Sequence, residues 1–164
     1  MIRPILQWPD PRLRTPADPV AVITDEIRSI WQDMVDTMDA MPGVGLGAPQ
    51  IGVMLRLAVV DVTPDRSRRI LMANPERVEA SHELRTHEEA SPCLPGVSAR
   101  LKRPKRVTVQ FLNSDGAVMR RDFEDLESTS VQHQIDHING RMYFDNLSKM
   151  KRDMLLRKAK KVAP

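Results

Sequence analysis

The ten residues Val131-Gln132-His133-Gln134-Ile135-Asp136-His137-Ile138-Asn139-Gly140 constrain this chain more than any other stretch. His133 and His137 are four apart, so on a helix both imidazoles project from one face and can hold a metal ion. The hydrolytic pattern with this spacing is His-Glu-x-x-His, in which both imidazoles bind the ion and the Glu serves as general base. Here the second residue is Gln134, whose amide can position a water but cannot take its proton at neutral pH. The stretch therefore keeps the scaffold of a metallohydrolase while lacking its base. Polar packing inside a folded domain is the plainer reading of the same two histidines.

With 164 residues, 41% hydrophobic and 29% charged, the chain has the balance of one domain, 1–164, able to bury a core. No apolar run is long enough to cross a bilayer, and Met1 to Leu6 lacks the longer apolar core of a signal peptide, so a cytoplasmic location is expected. The lone Cys93 excludes an intrachain disulfide and leaves a thiol that is a ligand, a nucleophile or a small core residue. The net charge of +3 is uneven: Lys149, Lys151, Arg152, Arg157, Lys158, Lys160 and Lys161 face only Asp153, so the tail carries +6 and the remainder −3.

Five prolines in the first twenty residues predict extended or turn structure there. A helix then begins with Thr24 as N-cap and Asp25 and Glu26 in its first turn; its apolar stripe runs from Ile27 through Trp31 to Met38, and Pro42-Gly43 ends it. In Gly43-Val44-Gly45-Leu46-Gly47-Ala48-Pro49-Gln50, glycines at alternate positions let backbone approach a ligand or another strand closely. Strands are expected at 55–62, at 70–73 closed by Asn74-Pro75, at 107–112, and at 117–123 after the turn Asn113 to Gly116. The histidine-bearing helix should run over about 125–139 with Gly140 as C-cap, and a final helix over about 148–161. Antiparallel strands around a central helix, with helices at both ends, make an α+β fold. His82 and His87 read most simply as surface residues, and Asp136 as either a partner that orients His137 or a surface group.

Four segments resemble the peptide deformylases: Ile5 to Arg14 is similar to that family's opening, Gly43 to Gln50 to its first motif, Glu88 to Pro95 to its second and Gln132 to Gly140 to its third. The resemblance implies the deformylase fold and an enzyme that removes the formyl group from the N-terminal methionine of new proteins. It implies a divalent metal, iron(II), zinc or nickel, on two His and one Cys, with a Glu that shuttles the proton of a metal-bound water. Carried over, His133 and His137 match the imidazole ligands, Gln50 the side chain that holds the oxyanion, and Gly45 and Leu94 substrate-binding positions. The general base falls on Gln134.

In the second motif, the family's Glu-Gly-Cys-Leu-Ser, an apolar residue and Pro meet Glu89-Ala90-Ser91-Pro92-Cys93-Leu94-Pro95. Without a gap, Ser91 takes the position of the thiolate ligand and Pro92 that of the residue whose N–H holds the oxyanion; a hydroxyl is a poor ligand and proline has no N–H. A rival register, or a local backbone shift, makes Cys93 the ligand. Losing a base costs about 10²–10⁴-fold and losing an oxyanion donor about 10²–10³-fold. Three readings follow: a deformylase-like protein with little or no deformylase activity and an empty or weak metal site; an active metal-dependent amide hydrolase using His133, His137 and Cys93; or a peptide- or ribosome-binding module without catalysis. The expected partners are N-terminal peptides of nascent proteins and, since deformylases dock on the ribosome through a C-terminal helix, the ribosome; the alternative for the basic tail is a solvated helix face. Neither a membrane nor specific DNA is expected.

Overall fold

A computed structural model describes residues 1–163. Its principal sheet is antiparallel throughout, with β1 (Gly45–Gly47), β2 (Leu57–Val60), β3 (Ile70–Ala80), β6 (Arg106–Leu112) and β7 (Val118–Glu124) side by side in that order. A separate hairpin pairs β4 (Leu84–Glu89) with β5 (Ala99–Pro104). Three helices complete the α+β fold: α1 (Asp25–Ala40), α2 (Asp125–Ile138) and α3 (Lys149–Val162).

β2 shows how the layers are built, since all four of its side chains are buried and they alternate between two cores. Leu57 and Val59 pack with Trp31, Met34 and Met38 of α1, whereas Ala58 and Val60 pack with Val131 and Ile138 of α2 together with Val109 and Phe123. The sheet thus lies between the two helices. A third core under α3 joins Leu13 to Cys93, Leu94, Tyr143, Phe144 and Leu155.

Helix ends follow the chemistry of their caps. The Thr24 hydroxyl accepts from the Ile27 N–H at 3.2 Å and the Ser148 hydroxyl from the Lys151 N–H at 3.3 Å. Beyond α2, Gly140 takes φ +76°, where an added Cβ would lie 2.9 Å from the Arg14 backbone, so conformation and space both require glycine.

One strand expectation needs correction, and one hairpin was not foreseen. β3 does not stop at Asn74-Pro75: Asn74 bulges out at φ +51° and the ladder resumes at Glu76 and reaches Ala80. A bulge is where a proline without N–H costs no ladder bond. The β4–β5 hairpin carries no apolar alternation that would announce it, because β4 exposes or half-exposes all its side chains except Glu89.

Candidate functional site

The site forms where α2 crosses the edge strand β1. Leu46 points into the α1 core, which turns the Cα atoms of Gly45 and Gly47 towards α2. A Cβ on Gly45 would lie 2.6 Å from Gln134 Nε2 and from Ser130 Oγ, and one on Gly47 would lie 3.4 Å from His137 Cβ. The alternating glycines thus admit a helix, which their spacing alone did not distinguish from a ligand or a strand. The Ser130 hydroxyl donates to the Val44 carbonyl at 2.9 Å and fastens the crossing.

His133 and His137, both buried, bring their Nε2 atoms within 3.2 Å of each other. The other nitrogen of His133, Nδ1, lies 2.9 Å from Glu89 Oε1. Burial works against the Glu89 charge, yet the bonds from His133 and Arg103 outweigh it and hold the carboxyl down to about 2. An ionised carboxylate only accepts, so His133 Nδ1 donates to it and Nε2 is the nitrogen turned towards His137. Burial, reinforced by His133 and Arg103, keeps the His137 pKa well below the usual imidazole value and the ring neutral, and its Nδ1 has no hydrogen-bond partner. The Arg103 guanidinium grips Glu89 at 2.6 and 3.0 Å and reaches Asp136 at 3.0 Å. Asp136 therefore bonds Arg103 and Asn146 and does not orient His137.

A cavity of about 250 Å³ opens over this helix face, lined by Gly45, Gln50, Glu89, Pro92, His133 and Gln134 among others. Gln134 is 4% exposed and its Oε1 meets no partner. Gln50 Oε1 accepts from the Gly47 N–H at 2.9 Å, which leaves the amide Nε2 as the donor; it reaches Cys93 Sγ at 3.5 Å. Ser91 is buried, and its hydroxyl accepts from the Cys93 N–H at 3.2 Å. Cys93 sits in the α3 core with Tyr143 and Phe144, where burial pushes its thiol up. Leu94 lies outside the cavity, in a groove beside Trp8 and Ala159.

His87 is half-buried on the wall of the same cavity with an unpartnered Nδ1, so its assignment to the open surface needs correction. The Glu89–Arg103 pair and Tyr143 were not picked out from sequence; the Tyr143 ring stacks on His133 at 5.9 Å, and burial, with the charge of Glu89, pushes its hydroxyl up to about 12.

Two convergent imidazoles, one of them backed by a carboxylate, are half of a metal site. Among the described residues no three His, Cys, Asp or Glu side chains are gathered so as to hold an ion. The donors that would complete a three-ligand set are a neutral hydroxyl at Ser91 and a thiol engaged by the Gln50 amide. As the side chains stand, the set does not fit a two-His, one-thiolate centre.

A mixed sheet-and-helix fold whose buried helix offers two imidazoles to a small cleft defines a scaffold of the His-x-x-x-His hydrolase class. The chain belongs to the polypeptide deformylase family, whose model matches residues 2–153. It is 40% identical to a peptide deformylase of Rhizobium meliloti, over 99% of this chain and 94% of that protein. It is 39% identical to a "peptide deformylase-like" protein of Bradyrhizobium diazoefficiens, over 99% and 95%. The crystal structure of a peptide deformylase from Legionella pneumophila superposes with a TM-score of 0.91 at 42% identity, over 98% of this chain and 95% of that one. No helix among the described residues is long and apolar enough to cross a membrane.

Proposed function

We propose that this chain retains the deformylase fold and its cleft for the N-terminal peptides of nascent proteins, but has little or no deformylase activity. The observation that carries the reading is Gln134, a carboxamide buried against Gly45 where the family's hydrolytic helix needs a carboxylate. Support comes also from Ser91, whose hydroxyl is occupied by a backbone N–H, and from Pro92, which lines the cavity with no N–H to donate to an oxyanion. The Bradyrhizobium relative, called deformylase-like, is in keeping with it. Peptide binding needs no proton transfer, so loss of the base leaves that capacity in place.

The test is release of formate from a formyl-methionyl peptide, by the unaltered protein and by Gln134→Glu combined with Ser91→Cys and Pro92→Leu. The reading expects background rates from the first and turnover from the second; substantial turnover by the unaltered protein overturns it. One observation favours a second reading, an active hydrolase that uses Cys93: the 3.5 Å contact sets its sulfur beside the Gln50 amide at the cavity wall. Stoichiometric metal in the purified protein, lost in Cys93→Ser, would decide for it.

A further inference from the structure

Behind the histidine-bearing face of α2 lies a larger cleft, of about 800 Å³, walled on the helix side by Gln132, Ile135, Asp136 and Asn139. Four arginines from different parts of the chain line it: Arg56 ahead of β2, Arg77 on β3, Arg103 on β5 and Arg141 after α2; the carboxylates lining it are Glu76 and Asp136. Arg103 is spent on Glu89 and Asp136.

The other three are not. Arg56 donates to the Ile138 carbonyl at 3.5 Å and to Asn139 Oδ1 at 2.8 Å, Arg77 to Gln132 Oε1 at 3.4 Å, and Arg141 to Asn146 Oδ1 at 3.5 Å. All these acceptors are neutral, and among the described residues none of the three guanidiniums meets a carboxylate within 4.0 Å. Each has five N–H donors, so most point at nothing in the protein. Burial also weighs on the Arg56 cation, with Glu76 as its counterweight. Like charges drawn into one cleft repel each other and strengthen the local field for anions. Planar guanidiniums that converge with free donors match the paired oxygens of a phosphate group.

We propose that this cleft is a binding site for phosphate groups, carried either by a phosphorylated small molecule or by a polynucleotide backbone. The site is separate from the histidine cleft: Thr129, Ser130, His133 and Gln134 of α2 line one, and Gln132, Ile135 and Asp136 with the C-cap Asn139 line the other.

The experiment is calorimetric titration of the full chain with inorganic pyrophosphate and with a short single-stranded RNA, across a series of salt concentrations. The side chains of Arg77 and Arg141 are exposed, so Arg77→Gln and Arg141→Gln should fold; unchanged denaturation midpoints verify this. Saturable binding that each substitution weakens at least about tenfold, while Lys102→Gln on the exposed face of β5 leaves it unchanged, supports the site. If RNA binds more tightly and its salt slope falls by about one unit per arginine removed, the phosphates belong to nucleic acid. If pyrophosphate binds and RNA gains nothing over it, they belong to a small molecule. Failure of both probes to saturate, or binding indifferent to both substitutions, overturns the proposal.

Discussion

Glu89 Oε1 and His133 Nδ1 lie 2.9 Å apart, 44 residues distant in sequence, and this contact fixes which imidazole nitrogen faces the cleft. Arg103 holds the same carboxylate from the other side. Both members of the Glu89–Arg103 pair are buried, so removing one strands the other's charge. Arg103→Met should cost about 3–5 kcal/mol in denaturant unfolding. Adding Glu89→Gln should return much of that loss, because the double variant no longer buries the Glu89 charge unpaired, while the less buried Asp136 keeps the bond from Asn146. A double variant as unstable as the sum of the two singles would contradict this.

Asp145 ties the N-terminal arm to the segment before α3: it accepts from Arg14 and from the Met142 N–H at 2.8 Å. Burial opposes its charge, but those bonds prevail and hold the carboxyl below its usual range. A depressed folded-state pKa stabilises above the unfolded value and is lost as pH falls through the folded one. Asp145→Asn should therefore cost about 1–3 kcal/mol at neutral pH. The gap from the unaltered protein should stay constant down to about pH 5 and close below about pH 4, as unfolding midpoints measured from pH 7 to 2 would register.

Gly45→Ala puts a methyl group 2.6 Å from the Gln134 amide and the Ser130 hydroxyl. The helix must back away or Gln134 must leave its seat, at about 1–3 kcal/mol by overpacking. Thermal unfolding should show that loss. Gly47→Ala meets His137 Cβ at 3.4 Å and should cost less.

Ser91→Cys supplies a thiol at the position the ungapped motif assigns to the ligand. Zinc that exchanges out of the unaltered protein during dialysis should stay with the variant in near one-to-one ratio, since a thiolate binds such ions far better than a hydroxyl. Elemental analysis after dialysis reads the outcome, and equal retention by both proteins would refute it.

Short-range chemistry was the most legible part of this sequence. Thr24 caps α1 as expected, Ser148, expected to begin the last helix, is its N-cap, and the apolar stripe from Ile27 to Met38 is the buried face of α1. β4 was illegible because its inward face carries the polar residues Arg85, His87 and Glu89 and so shows no apolar period, and the far half of β3 was hidden by a proline that a bulge accommodates. At the site, the spacing of His133 and His137 put both on one helix face, and the family resemblance singled out Gly45, Gln50 and Gln134, which the fold brings to the same cavity as His133. Glu89 served only to fix the register of the second motif. Its pairing with Arg103 and His133 depends on how a hairpin lands against a helix, and no local pattern encodes that.

The two faces of α2 have a consequence for how such a protein can change over generations. The helix is a partition with a separate compartment on each of two faces, its 3.6-residue period turning other positions such as Val131 and Ile138 into the core between them. A change at position 134 alters the histidine side while the arginines of the other side keep their places. Such a helix lets the residues of one compartment vary while those of the other stay as they are.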